Sequence, residues 1–314
     1  MATPALLRPV RQGSRAWVLT LAVTLAALLA LSGCGQGAAA SSGPPHIVAA
    51  ENMWGSIAAQ LAGSNARITS IITNPAQDPH SYEPTAPDAR TLATAGLVIV
   101  NGIGYDEWSG RLLAANPQPS RLVLDVGTLL KVPSGGNPHR WYDPNEVSTV
   151  AQAIEADLAR LDPHHQALYA QRLRSFETVA LAPYHQAIAA VRRHYAGVPV
   201  GASESIFALQ APALGLRLLT PATFMKAISE GTEVSARDTA TAADQITHHR
   251  IKVWVFNSQN ATPEIAHLNA LARANGIPVT TITETLAPAT DSFEQWQVAQ
   301  LRALARALHA ATGR

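Results

Sequence analysis

The chain lacks several sequence features that would point directly to a class of protein. It has a single cysteine, Cys34, so an internal disulfide is excluded. Charged residues make up only 14% of it and hydrophobic residues 47%, which is typical of a compact globular body and not of a disordered protein. It contains no His-Glu-x-x-His signature and no Gly-x-Ser-x-Gly elbow. These absences weigh against the common metallopeptidase and serine hydrolase classes.

The apolar run from Ala16 to Leu31 is shorter than the roughly 20 residues that a transmembrane helix requires. It ends in small residues before Cys34, and three arginines precede it: Arg8, Arg11 and Arg15. This layout predicts a cleaved signal peptide over residues 1–33, and it disfavours the alternative of an uncleaved anchor. The sequence therefore predicts an exported protein.

The position of Cys34 resembles the lipobox of bacterial lipoproteins, in which the cysteine is lipidated and becomes the first mature residue. A buried free thiol, the alternative, fits poorly at the end of a signal sequence. Residues 34–45 are rich in Gly, Ala, Ser and Pro, a composition that predicts a flexible tether. Together these features predict a membrane-anchored lipoprotein that faces the periplasm or the cell exterior.

The mature chain also lacks an excess of positive charge. The segment before Cys34 contains three arginines and no acidic residue, so its removal leaves 20 basic against 22 acidic residues and changes the net charge from +1 to −2. A basic nucleic-acid-binding protein is therefore excluded. The remaining length suits one large or two medium domains.

Strand and helix patterns alternate in two separate halves of the chain. Short β-prone runs are predicted at 46–51, 68–73, 96–101 and 122–126, and again at 198–201, 217–220, 251–256 and 277–282. A long helical pattern, which Pro183 should kink, separates them. We predict an α/β fold with two lobes (46–162 and 198–314), each a mostly parallel β-sheet flanked by helices, joined by one long bridging helix (163–197).

Two histidines far apart in the sequence have matching neighbours, Asp78-Pro79-His80 and Asn137-Pro138-His139. In each, the preceding proline fixes φ and stiffens the loop that presents the imidazole. Neutral imidazole is the commonest protein ligand for transition metals. Each histidine comes after a predicted strand, and so do Glu204 and Glu284 in the second half. Because ligands bind beyond the carboxyl ends of parallel strands, we expect these four side chains to converge between facing lobes.

These residues carry a resemblance to a known family. The segments Asp78 to Pro84, Asn101-Gly102 with Trp108, Asn137 to Pro144 and Glu233 to Asp238 resemble substrate-binding proteins of zinc/manganese ABC transporters (solute-binding protein family 9, TroA-like). The resemblance covers essentially the whole mature chain. It implies a receptor, not an enzyme, that binds one Mn²⁺ or Zn²⁺ per chain and delivers it to a cognate permease in the membrane.

By position, the family's first two histidine ligands correspond to His80 and His139. Its third ligand, a histidine in many zinc binders and a glutamate in many manganese binders, corresponds to Glu204. The fourth is usually an aspartate, and this sequence has Glu284 there, with Asp291 as a nearby competitor. Alternatively, Glu204 caps a helix N-terminus and Glu284 is a surface acid.

Two imidazoles and two carboxylates suit Zn²⁺, Mn²⁺ or Fe²⁺. Zinc binders of the family that this chain resembles often carry a long His/Asp-rich loop in the first lobe, and no such loop occurs between His80 and His139. This resemblance and the hard carboxylate oxygens favour Mn²⁺ or a relaxed Mn²⁺/Zn²⁺ preference. Two other functions remain open at this point. One is a secreted metal-dependent hydrolase, with Glu83 or Asp143 as general base. The other is a surface adhesin with a structural metal.

Overall fold

A computed structural model describes residues 1–5 and 43–314 of the chain. Residues 6–33 of the predicted signal peptide, the lipidation site at Cys34 and most of the tether lie outside the described residues. The eight strands are β1 (His46–Glu51), β2 (Arg67–Ile72), β3 (Leu97–Val100), β4 (Leu122–Asp125), β5 (Pro199–Ala202), β6 (Arg217–Leu218), β7 (Val253–Asn257) and β8 (Val279–Ile282). Among the described residues, no helix is both long and apolar enough to cross a membrane.

The strands form two separate four-stranded sheets in which every pairing is parallel. Their orders are β2-β1-β3-β4 and β6-β5-β7-β8. The central strands β1 and β3 are buried along their whole length, as expected for parallel strands covered by helices on both faces. The predicted fold class, two α/β lobes with parallel sheets, is therefore confirmed.

Eleven α-helices are found among the described residues. They are α1 (Asn52–Ala62), α2 (Ala86–Ala93), α3 (Glu107–Ala115), α4 (Val126–Leu129), α5 (Pro144–Leu161), α6 (Gln166–Ser175), α7 (Ala182–Tyr195), α8 (Ala222–Ser229), α9 (Ala236–Thr247), α10 (Pro263–Ala274) and α11 (Phe293–Thr312). The apolar spacing of the sequence predicts helices at 52–62, 87–95, 145–161 and 263–275 and one from about Ser292, which correspond to α1, α2, α5, α10 and α11. It predicts no helix at the positions of α3, α4, α8 and α9.

The helical connection between the sheets is segmented and not one uninterrupted α-helix. A 3₁₀ turn at Pro163–His165 leads into α6, and a π-helical turn at Phe176–Ala180 precedes α7. Pro183 lies in the first turn of α7, where its missing N–H costs least. In the π-helical turn the Leu181 N–H donates to the Phe176 carbonyl, five residues earlier. This wider turn accommodates the break in α-helical hydrogen bonding next to Pro183. The exact lobe boundaries stay a prediction.

The lobes also contact each other directly, away from this connection. The Tyr142 hydroxyl donates to the Thr283 carbonyl at 2.7 Å, and the Phe293 N–H donates to the Ser56 hydroxyl at 2.9 Å. Helices α1 and α11 take part in one large buried apolar cluster that spans both lobes. The carboxyl edges of the two sheets are thereby held facing each other.

Candidate metal centre

Four side chains meet between the facing edges of the sheets: His80, His139, Glu204 and Glu284. One ligand atom from each lies within 4.8 Å of the other three. The Nε2 of His80 is 3.4 Å from Glu284 Oε2 and 3.9 Å from Glu204 Oε1, and the Nε2 of His139 is 3.8 Å and 3.6 Å from the same atoms. Four atoms placed about 2.0 Å from one tetrahedral ion would be about 3.3 Å apart. The four separations between imidazole nitrogens and carboxylate oxygens, 3.4–3.9 Å, are somewhat wider than that spacing, so a bound ion would draw the ligand atoms inward.

His139 is fully buried and held in one orientation by its neighbour two residues earlier. The Asn137 side-chain oxygen lies 2.8 Å from the His139 Nδ1 and accepts the His139 backbone N–H at 3.1 Å. When Nδ1 carries the proton, it donates to this oxygen, and Nε2 keeps its lone pair free. Outer hydrogen bonds of this kind set the tautomer and direction of metal-binding histidines.

His80 lies in a 3₁₀ turn after β2, where the Asp78 carboxylate accepts its backbone N–H at 2.9 Å. Its side chain is 18% exposed, whereas the side chains of the other three residues are fully buried. It lines a cavity of about 390 Å³ whose wall includes Gly104 and Asn137 from the first lobe and Lys226 from the second. This cavity gives a route by which an ion could reach the four side chains.

Both carboxylates are buried, and protein groups bond both outward-facing oxygens and the inward-facing oxygen of Glu284. The Asn257 amide donates to Glu204 Oε2 at 2.7 Å and to Glu284 Oε1 at 2.6 Å. The Tyr105 hydroxyl donates to Glu284 Oε2 at 2.6 Å. Although Glu204 directly precedes a 3₁₀ turn, its side chain makes no capping bond, so the helix-cap interpretation is not supported.

Three of the four inward-facing atoms have no hydrogen-bond partner within the described part of the chain. They are His80 Nε2, His139 Nε2 and Glu204 Oε1. Burial of an unsatisfied polar atom costs about 1–3 kcal/mol, and more for a charged group. A single divalent cation between them would satisfy all three at once. The donor set of two imidazoles and two carboxylates fits such an ion, because the two negative carboxylates balance the 2+ charge of the cation.

The electrostatics of the centre in the absence of a cation agree with this interpretation. Burial and repulsion from Glu284 raise the pKa of Glu204 to about 8, and burial, with a contribution from Asp78, raises the pKa of Glu284 to about 8. Burial lowers the pKa of His80 and lowers that of His139 well below its usual value. Near neutral pH the imidazoles are neutral and the carboxyls hold protons that a metal must displace.

Other residues considered from the sequence lie elsewhere. Asp291 is not among the described residues whose ligand atoms converge here. The adjacent pairs His164-His165 and His248-His249 are exposed and are not among the described residues whose ligand atoms converge here. Sequence reasoning missed Tyr105, which lies in the loop between β3 and α3, and Asn257, which is the last residue of β7.

Replacing Tyr105 by phenylalanine should weaken metal binding by about tenfold, because loss of an outer-shell hydrogen bond typically costs 10- to 100-fold in affinity. The hydroxyl that orients Glu284 disappears while the buried ring remains. Isothermal titration with Zn²⁺ measures the change. Tyr142→Phe is the matched control, since its hydroxyl bonds Thr283 and Gln300, neither of which is one of the four converging residues. An equal loss in both variants would refute the role given to Tyr105.

Comparison with known proteins identifies related sequences and structures. The profile of the ZnuA family, described as the periplasmic zinc-uptake complex component A, matches residues 47–307. The chain is 27% identical over 161 residues to the manganese-binding lipoprotein MntA of Halalkalibacterium halodurans, an alignment that covers 49% of this chain and 53% of MntA. It is 26% identical over 146 residues to the zinc-binding protein TroA of Treponema pallidum, covering 44% of this chain and 47% of TroA.

The chain thus spans about half the length of the curated relatives it matches. The structural likeness extends further. A manganese-bound periplasmic metal-binding protein from Candidatus Liberibacter asiaticus superposes with a TM-score of 0.71 at 18% identity, over 84% of this chain and 99% of that one. At this identity the likeness establishes the fold alone.

Proposed function

Because the profile match extends over residues 47–307, this chain belongs to the ZnuA family of periplasmic zinc-uptake components, and we propose that it is an extracytoplasmic receptor that captures a divalent metal ion and delivers it to an ABC transporter permease. The observation that carries the proposal is the convergence of two imidazole nitrogens and two carboxylate oxygens at one buried point beside a cleft. The names of the relatives, which bind manganese or zinc, support Mn²⁺ or Zn²⁺ as the transported ion.

In this proposal His80, His139, Glu204 and Glu284 bind one ion per chain. The two lobes supply the ligands in equal number, so the ion would hold the lobes together and its release would require them to separate. Asp291 is not part of the group of converging ligand atoms in the described chain, which favours Glu284 as the fourth ligand.

The same geometry argues against a hydrolase. A catalytic zinc keeps one coordination position open for water or substrate. Here protein atoms approach the centre from four directions, and all of them except His80 are fully enclosed. A receptor needs such enclosure to hold its ion, whereas a hydrolase would need access for a much larger substrate.

Elemental analysis of the purified protein, followed by competitive titration with Mn²⁺ and Zn²⁺, tests the proposal. We expect one ion per chain and sub-micromolar affinity for at least one of the two metals. Affinity weaker than micromolar for both would reject the receptor and favour the adhesin alternative.

We also propose that Cys34 is lipidated and tethers the protein to the membrane, consistent with the lipoprotein name of the relative MntA. Replacing Cys34 by serine should move the protein from the membrane fraction to the soluble fraction of expressing cells, because the lipid is the predicted anchor. Fractionation followed by immunoblotting measures this. If the variant stayed in the membrane fraction, the anchor would have to be another segment.

A further inference from the structure

Asn257 occupies a position between the two glutamates of the centre that the sheet order itself creates. It is the last residue of β7, and β7 lies between β5 and β8 in the second sheet. Glu204 follows β5 and Glu284 follows β8. The Asn257 side chain therefore reaches the point where the two carboxylates approach each other, and it is completely buried there.

The orientation of the Asn257 amide is fixed by its other hydrogen bonds. Its side-chain oxygen accepts the Gln259 backbone N–H at 3.0 Å, and its own backbone N–H donates to the Ser203 hydroxyl at 3.0 Å. The amide nitrogen therefore faces the carboxylates. Its two N–H groups are both used, one on Glu204 and one on Glu284, at 2.7 Å and 2.6 Å.

These bonds remove one oxygen of each carboxylate from the reach of an ion. Glu204 Oε2 and Glu284 Oε1 both accept from Asn257, on the side away from the imidazoles, whereas Glu204 Oε1 and Glu284 Oε2 lie within 4 Å of both histidine Nε2 atoms. The bond from Tyr105 to Glu284 Oε2 leaves that oxygen on the inner side. A carboxylate that turned to bind an ion with both oxygens would break one of these buried bonds. The described part of the chain consequently presents one ligand atom from each of the four side chains.

The number of protein ligands matters for the choice of metal. Zn²⁺ is satisfied by four ligands in a tetrahedron, whereas Mn²⁺ prefers six, mostly oxygens. Carboxylates that bind through both oxygens are the simplest way for a protein to raise the coordination number. Because the Asn257 bonds oppose two-oxygen binding by either carboxylate, a six-coordinate ion would have to keep two water ligands on the partly exposed side near His80.

We propose that Asn257 is a positioning residue that holds Glu204 and Glu284 as one-oxygen ligands and thereby favours a four-coordinate ion such as Zn²⁺ over Mn²⁺. The inference rests on the proposed function, because it assumes that the centre binds a metal. It opposes the preference for Mn²⁺ expected from carboxylate hardness. It acts in the same direction as the general affinity order, in which Zn²⁺ exceeds Mn²⁺.

The test compares Asn257→Ala with Asn269→Ala in the full chain. Asn269 is a buried amide of the same lobe that accepts from Trp254 at 2.8 Å, and the structure records no contact between it and the carboxylates of the centre. Competitive titration gives the ratio of Zn²⁺ to Mn²⁺ affinity for each variant. We expect Asn257→Ala to lower Zn²⁺ affinity about tenfold, the lower end of the usual outer-shell effect, without an equal loss of Mn²⁺ affinity, so that the ratio falls by about the same factor. The ratio should stay unchanged in the control.

Cobalt spectroscopy supplies a readout that a purely structural role would not alter. The wild-type protein loaded with Co²⁺ should show the intense visible bands of four-coordinate cobalt, and Asn257→Ala should show weaker bands as the coordination number rises. Weak six-coordinate bands in the wild type would overturn the inference without any variant. So would equal loss of Zn²⁺ and Mn²⁺ affinity with an unchanged ratio. A wild-type protein that binds no metal would instead overturn the proposed function itself.

Discussion

Glu284→Gln should lower metal affinity by about a hundredfold or more. The substitution keeps the size of the side chain but removes one of two negative charges at a fully buried site. Removing one partner of a buried charge pair costs about 3–5 kcal/mol, and about 2.7 kcal/mol corresponds to a hundredfold in affinity. Titration with Zn²⁺ or Mn²⁺ against the wild-type protein measures the loss.

Asp291→Asn is the control, because Asp291 is the neighbouring acid that competes for the same role in the sequence. It should leave affinity unchanged, since the described ligand atoms converge without it. If Asp291→Asn abolished binding while Glu284→Gln retained it, the fourth ligand would be misassigned. That result would leave the assignment of the other three ligands unchanged.

Metal affinity should fall steeply as the pH drops below about 8. The pKa of Glu204 and that of Glu284 are both raised to about 8, so each carboxyl is protonated below that pH and must lose its proton to bind the ion. The lowered pKa values of His80 and His139 keep both imidazoles neutral, so they release no protons near pH 7. Affinity should change about tenfold per pH unit for each proton released, with roughly one to two protons released in total.

Calorimetry in buffers of different ionisation enthalpy counts the protons released on metal binding at pH 7. Glu83→Gln, which alters an exposed acid near the first histidine loop, should release the same number as the wild type. The number of protons released on metal binding should be smaller in Glu284→Gln than in the wild type. A proton count near zero in the wild type, with affinity independent of pH between 6 and 8, would contradict the buried carboxyl pair.

The two-lobed fold could be predicted from the sequence because its signals are local. Buried parallel strands give continuous apolar runs, such as Leu97–Val100, and the helices between them give regular apolar spacing. Helix α9 was missed although a serine caps it, because its sequence, Ala236–Thr247, is dominated by alanine, threonine and aspartate and its apolar stripe is narrow. The connector was predicted as one long helix kinked at Pro183, and the interruption lies beside that proline. The π-helical turn itself was not predicted, since such a turn leaves no clear trace in the sequence pattern.

The site was accessible to sequence reasoning only in part. His80 and His139 stand out because of their rigid proline contexts, and Glu204 and Glu284 because each follows a strand. Asn257 carries no such mark, because an asparagine at the end of a strand commonly ends a sheet or begins a turn. Its role depends on β7 lying between β5 and β8, and strand order follows from three-dimensional packing that spacing along the chain does not show.

A crystal structure of the protein loaded with Zn²⁺, with an anomalous difference map at the zinc edge, tests the central claim most directly. The proposal predicts one strong peak at about 2.0–2.2 Å from His80 Nε2, His139 Nε2, Glu204 Oε1 and Glu284 Oε2. A peak elsewhere, or one that excludes either glutamate, would contradict it.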